Sequence, residues 1–290
     1  MFDFTEYFEP ASVEEAVALL AGRPDTRIIA GGTDVLIRLR ERKAEFVGCA
    51  LVGIRRIPSL SEISADAEGN ISIGAAASFT AVEESPLLNH RLRALAMGAA
   101  MVGGPQIRNM GTIGGNICNG ATSADTAAPL FVYNAAMVIL SPAGIREVPI
   151  REFYLGPGKV ALCQGDLVTA IKIRREDYEG CKGCYIKFSP REAMDIATLS
   201  CAVAVKTDGG KIDDLRVAFG VAGPTPLRAE SAEAFARGRT PDGETLEQIG
   251  VKCVQNTKAR DSWRGAKAFR ENLIRNLPGR AIRAALEAEI

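Results

Sequence analysis

The chain has 290 residues, and Lys plus Arg equal Asp plus Glu at 35 each, so its formal net charge is zero. Without a basic excess there is no electrostatic footprint for a nucleic-acid backbone or an anionic membrane surface, which argues against both as partners. A hydrophobic share of 47% beside a charged share of 24% describes an ordinary globular enzyme. The length suits about two domains of roughly 150 residues and a core that needs no metal or disulfide staple. Residues 1–10 carry Asp3, Glu6 and Glu9 without an apolar run, which is not a secretory pattern. No segment approaches the ~20 apolar residues that span a bilayer. Seven scattered cysteines do not resemble a disulfide framework, so a reducing cytoplasm is the expected compartment.

In chain order, Ser12 and Glu15 read as a capping box for a helix over 13–21, ended by Gly22 and Pro24. Arg27–Ala30 reads as a strand, Val35–Arg40 as a helix and Phe46–Val52 as a second strand. Ile71 and Ile73 mark a further strand, and Thr80 with Glu83 reads as the cap of a helix around 81–85. Arg91–Met101 is helical by spacing, whereas Gln106–Asp125 reads as polar loop. Strands follow at 137–140, 147–150 and 167–173. The charged run Arg174–Asp177 is the expected domain boundary. Beyond it come β-type runs at 185–188, 197–206 and 215–221 and helical patterns at 232–236, 246–254, 266–276 and 281–289. A sheet with helices on one face is expected there.

Two glycine-rich bends stand out. Ala30-Gly31-Gly32-Thr33-Asp34 follows a strand and opens a helix, where adjacent glycines free the backbone and leave no Cβ in the way of a ligand. Successive amides there can converge on an anion, or simply close a tight turn. The longer stretch Gly111–Asp125 is rich in hydroxyl and amide groups and carries no charge before Asp125. It suits a diphosphate and its sugar hydroxyls, and a dinucleotide is the simplest ligand for the pair. The first bend is neither a Gly-x-Gly-x-x-Gly nor a P-loop.

Ala30–Asp34 and Thr112-Ile-Gly-Gly-Asn116 with Asp125 resemble the flavin-binding motifs of the FAD subunits of molybdenum hydroxylases. The likeness is to the bacterial xanthine dehydrogenase type, relatives of the carbon monoxide dehydrogenase medium subunit. Met1–Phe4, Gly104–Asn109, Gly156–Lys159, Arg191–Ile196 and Phe219–Ala222 extend it over nearly the whole chain. The resemblance implies an α+β chain of the vanillyl-alcohol-oxidase or PCMH type. Two α/β FAD-binding subdomains over 1–55 and 56–177 would precede a three-stranded-sheet-and-helix domain over 178–290. It implies that Arg27, Ile28, Ile29, Ala30, Gly31, Gly32, Thr33 and Asp34 cradle the pyrophosphate together with Thr112, Ile113, Gly114, Gly115 and Asn116. Asp125 would take sugar or ribityl hydroxyls, Val102 would lie beside the adenine or flavin, and Val168 would place a backbone group at the isoalloxazine edge. Lys187 would approach the pyrimidine end, and Asp195 and Ile196 would face the ring.

The resemblance also implies non-covalent FAD, with molybdopterin and [2Fe–2S] clusters held by partner subunits and NAD⁺ as hydride acceptor during oxidation of xanthine or a related N-heterocycle. A self-sufficient FAD oxidase and a non-catalytic scaffold subunit are the competing readings. The sole histidine, His90, has no acidic or nucleophilic company and reads as a surface residue, which argues against hydrolytic triads and His-based zinc sites. Cys181-Lys-Gly-Cys184 is a lone C-x-x-C, read as two free thiols in a turn rather than a redox pair or half a metal site. Cys118 is expected close to the cofactor as a small apolar thiol.

Overall fold

The computed structural model describes residues 2–288. Strands β1 (Phe4–Phe8), β2 (Thr26–Ile29) and β3 (Cys49–Gly53) alternate with helices α1 (Val13–Gly22) and α2 (Val35–Arg40), and the strands form a parallel sheet in the order β1-β3-β2. Helix α1 begins where the sequence puts it. Ser12 Oγ accepts from the Glu15 amide at 3.2 Å, and the Glu15 carboxylate reaches back to accept from the Ala11 amide at 2.7 Å. A cap of this kind contributes ~1 kcal/mol. The buried face of α1, Ala16, Val17 and Leu20, shares one apolar cluster with Val52, Ile54, Leu60, Ala76 and Leu167. That cluster fastens the small parallel sheet to the region that follows.

In the central region come β4 (Ile63–Ala65), β5 (Ile71–Gly74), β6 (Ala136–Ser141), β7 (Gly144–Pro149), a ribbon of β8 (Tyr154–Gly156) and β9 (Lys159–Val160), and β10 (Leu167–Ile173). Five of them form an antiparallel sheet in the order β4-β5-β10-β6-β7. Between β5 and β6 lie six short helices: α3 (Phe79–Glu84), α4 (Pro86–Arg91), α5 (Arg93–Ala100), α6 (Pro105–Met110), α7 (Ile113–Cys118) and α8 (Ala127–Val132); α9 (Ile150–Phe153) follows β7. The cap of α3 is Ser78 rather than Thr80, its Oγ accepting from the Ala81 amide at 3.1 Å. Ser78 has the extended backbone that a cap needs, whereas Thr80 already lies inside the first turn. The helix expected over 91–101 starts at Arg93, because Ser85 and Pro86 begin α4 and Leu92 at φ −128° separates the two. The stretch Gln106–Asp125, expected as loop, carries α6 and α7.

The third region is an antiparallel sheet of β11 (Lys182–Phe188), β12 (Leu199–Asp208), β13 (Lys211–Gly220) and a two-residue β14 (Leu227–Arg228), one short strand more than the sequence suggests. Gly209 at φ +53° and Gly210 at φ +76° close the β12–β13 hairpin with the mirror-image turn that two-residue loops favour. Along β12 the residues alternate. Leu199, Cys201, Val203 and Val205 pack on α10 (Glu230–Ala236), α11 (Gly243–Gln255) and α12 (Lys267–Glu287), while Ala202 and Ala204 join the core of the central region. Helices therefore cover one face, and α5 and α8 of the central region cover the other.

Helix α12 is continuous through Pro278, where two separate helices are expected. An interior proline costs ~3 kcal/mol. Burial of Leu273, Ile274, Leu277, Ala281, Ile282 and Ala285 along the same helix outweighs it, at ~1.5–3 kcal/mol for each large aliphatic side chain. The C-x-x-C does not form a pair. Cys181 packs against the central core and Cys184 into the cluster beneath the helices, and both thiols are free.

Candidate functional site

The first glycine bend joins β2 to α2. Gly32 has φ +73°, a conformation that strains any side-chain-bearing residue. Gly31 is there for a different reason, since a Cβ on it would overlap the Met110 carbonyl and so force the first region away from the central one. The amides of Gly31, Gly32, Thr33 and Asp34 donate to no acceptor among the described residues. This row of open donors is what an anionic group needs.

The second bend is a helix start instead of the open loop expected. Thr112 is extended, its Oγ1 accepts from the Gly115 amide at 3.2 Å and its carbonyl accepts from the Asn116 amide at 3.0 Å. The two glycines of α7 are small for opposite purposes. A Cβ on Gly114 would come within 2.5 Å of the Ala75 carbonyl oxygen, so the residue is fixed by backbone packing. A Cβ on Gly115 would meet only Thr112 Oγ1, at 3.0 Å, and would otherwise fill open space.

Between the two bends lies a cleft of about 380 Å³, within the range of small-molecule sites. Of the residues expected at a cofactor, Ile28, Ala30, Gly31, Thr33, Asp34, Val102, Thr112, Gly114, Gly115, Asn116 and Val168 line it, and Cys118 does too. Burial pushes the Cys118 thiol up to about 12, which leaves it a protonated, inert apolar group. Gly32 shapes the bend without lining the cleft. Arg27 turns away, donating from Nε to the Glu45 carbonyl at 2.9 Å and from Nη1 to Thr26 at 2.7 Å. Ile29 packs toward Leu39 and Phe46, and Ile113 is wholly buried core.

Asp125 and Lys187 lie behind the cleft wall, bound to each other. Lys187 Nζ donates to Asp125 Oδ2 and to the Met101 carbonyl at 2.9 and 3.0 Å, and Tyr185 Oη donates to Asp125 Oδ1 at 2.7 Å. Burial raises the Asp125 carboxyl above its ordinary value, although Lys187 and Tyr185 pull it back. Burial, with the Asp125 charge behind it, raises the Tyr185 phenol strongly. Asp195 accepts from the Arg191 and Ile196 amides at 3.2 and 2.8 Å, on an exposed loop with Ile196.

Several lining residues were not singled out from the sequence: Ile54, Phe79, Ile107, Leu162, Leu167 and the charged Arg38. The aliphatics carry no signal that separates them from core. Arg38 does, because it stands four residues after Asp34 on the same helix face. Its guanidinium donates to Asn119 Oδ1, and Asn119 Nδ2 donates to Asp34 Oδ2 at 3.2 Å, bridging the two regions at the cleft. Open amides, the free face of Gly115 and a nearby guanidinium fit a diphosphate-bearing cofactor, and the apolar wall fits a ring system.

Residues 2–174 match the family described as the FAD binding domain in molybdopterin dehydrogenase, and residues 184–285 match the CO dehydrogenase flavoprotein C-terminal domain. The chain belongs to this family of FAD subunits of molybdenum hydroxylases, and its cofactor is FAD. It is 41% identical over 288 residues to the xanthine dehydrogenase FAD-binding subunit of Escherichia coli O157:H7, covering 99% of this chain and 98% of that one. It is 34% identical over 255 residues to the nicotinate dehydrogenase FAD-subunit of Eubacterium barkeri, covering 85% and 84%. Its structure matches a carbon monoxide dehydrogenase of Hydrogenophaga pseudoflava with a TM-score of 0.92 at 31% identity, covering 99% of this chain and 98% of that one. The α+β architecture inferred from the motifs is therefore the one observed. No helix among the described residues is long and apolar enough to cross a membrane.

Proposed function

We propose that the chain is the electron-transfer subunit of a cytoplasmic molybdopterin hydroxylase, taking electrons from [2Fe–2S] clusters of one partner subunit and passing hydride to NAD⁺. The substrate, xanthine or a related N-heterocycle, would be oxidised at a molybdopterin centre in another partner. The single observation that carries this reading is the convergence of two differently built glycine bends on one cleft, with four unengaged amides on one side and the bare face of Gly115 on the other. The 41% identity to a xanthine dehydrogenase subunit supports the choice of substrate class.

When bound, non-covalent FAD supplies a redox centre that exchanges single electrons with one partner and a hydride with another. The amides of Gly31–Asp34 take its diphosphate, with Gly115 and Asn116 closing the opposite side. Arg38 offsets part of the anionic charge. Ile28, Ile54, Leu167 and Val168 would exclude water from the ring system, and Val168 would also offer it a backbone group. The Asp125–Lys187 pair acts through Met101, whose carbonyl it holds, and so fixes Val102 at the wall. Asp195 and Ile196 shape the loop beyond that wall.

The purified chain is expected to bind one FAD, to be bleached by NADH alone, and to be untouched by xanthine until its partners are added. Bleaching by xanthine alone would make it a self-sufficient oxidase. A chain that stays colourless after incubation with FAD would be a scaffold, and the proposal would fall.

A further inference from the structure

The segment between α11 and α12 ends in a built turn. Ser262 and Gly265 exchange backbone hydrogen bonds, each amide donating to the other's carbonyl at 3.1 Å, so that Trp263 and Arg264 form its tip. Trp263, the only tryptophan of the chain, is 84% exposed. The Arg264 guanidinium stacks on its ring at 4.0 Å, and Arg264 Nε is buried with no hydrogen-bond partner among the described residues.

The turn is braced from behind by Arg270 of α12, which is 2% exposed. Its Nε donates to the Thr198 carbonyl at 3.0 Å, its Nη2 to Ser262 Oγ at 2.6 Å, and its Nη1 to the Arg260 carbonyl. Burying a guanidinium against neutral acceptors is costly. In this place it holds an indole rigidly in water, where the indole does nothing for the fold. Tryptophan and arginine are the residue types most enriched at interface hot spots, and a turn ordered beforehand loses little entropy on binding.

Charge and position narrow the partner. From Lys258 to Lys267 the chain carries Lys258, Arg260, Arg264 and Lys267 against Asp261 alone, and Asp261 already accepts from the Lys267 amide at 2.7 Å. Thr198, gripped by Arg270, closes the 189–198 loop. Met194 of that loop lies 3.5 Å from where a Cβ of Gly104 would stand, two residues from Val102 in the cleft wall. A protein seated on the turn therefore lies against the loop that reaches the flank of the cleft wall.

We infer that the Trp263–Arg264 turn is a docking anchor for the iron–sulfur subunit, whose facing surface offers an apolar socket edged by a carboxylate. The inference rests on the electron-transfer reading above, because an electron donor must seat its cluster beside the cleft. Trp263 enters the socket, and the Arg264 guanidinium stacked on it faces the carboxylate.

Calorimetric titration of the FAD-loaded chain with the separately purified iron–sulfur subunit tests it. Trp263→Ala is expected to raise Kd by about 30-fold or more while flavin content and unfolding midpoint stay put. Arg264→Gln is expected to raise Kd less and to flatten its salt dependence. Wild-type affinity in Trp263→Ala overturns the docking proposal and leaves the electron-transfer reading standing. A wild-type chain that does not bind the iron–sulfur subunit at all sinks both.

Discussion

The central sheet meets its two neighbours across seams of opposite character. Toward the third region the seam is packed shut over most of its length, with a cleft of about 280 Å³ only at the edge where Arg91 and Arg93 face Lys182 and Ala285. Gly183 lets β11 lie directly on Tyr133, Ala202, Ala204 and Ala218 keep the contact thin, and the Asp125–Lys187–Tyr185 group joins it with Arg216 and Arg228, which donate to the Val132 and Phe131 carbonyls at 3.0 and 3.2 Å. Val221 adopts φ +64°, a strained conformation for a β-branched residue, and donates its amide to the Thr122 carbonyl at 3.1 Å across this seam. Toward the first region the seam is held at its edges, by Gly31 against Met110 and by Arg38 with Asn119, and stays open by about 380 Å³ between them. Small residues serve both seams. They close one because each faces protein backbone or side chain, and they leave the other open because Gly115 meets only Thr112 Oγ1 and otherwise faces empty space.

The largest expected effect breaks the closed seam. Lys187→Met leaves the Asp125 carboxylate buried with only Tyr185, at a cost of about 3–5 kcal/mol, read as a fall in the denaturant midpoint. Burial already lifts the Asp125 carboxyl, and without the ammonium its folded-state pKa climbs further above the unfolded value. A raised carboxyl is costly once ionised. The deficit is therefore full above that raised pKa and shrinks as pH falls through it toward the unfolded value. Adding Asp125→Asn is expected to restore most of the loss. A deficit that ignores both pH and the second substitution would show that the pair is not the clamp.

A pair of glycine substitutions sharpens the contrast. Gly183→Ala forces a methyl into Tyr133 Oη and the Ala94 amide, and should cost about 1–3 kcal/mol with FAD still bound by the folded fraction. Gly115→Val should do the reverse. It places branched carbon in the cleft, changes stability by no more than about 1 kcal/mol because glycine is itself a poor helix residue, and abolishes FAD binding. Flavin absorbance per chain beside urea unfolding separates the two outcomes. Stoichiometric flavin in Gly115→Val would remove this residue from the site.

Much of the first region was legible because its signals are local. Ser12 caps α1, Val35–Arg40 is helical to the residue, and the Gly31–Asp34 bend falls at the strand-to-helix junction. The second bend is legible in place but not in form. Its hydroxyl-rich, glycine-rich composition reads as loop, yet Thr112 nucleates a helix because Ala75 and Ala77 accept the Gly114 and Ile113 amides from outside the segment. Arg27 stands inside the first motif and points away from the cleft, because three backbone carbonyls hold its guanidinium on the other side. No local pattern encodes that direction.

By itself, the sequence determined the class of protein, the start of α1 at its Ser12 cap, and the two glycine pairs that meet at the cleft. Those properties depend on neighbours a few residues away, or on residue types that a family's chemistry requires. The tertiary structure decided that Asp125 and Lys187 neutralise each other behind the wall, that Pro278 lies within one helix, and that Gly115 rather than Gly114 faces the open cleft. These outcomes depend on backbone brought together from distant parts of the chain, where burial and close contact outweigh local preference.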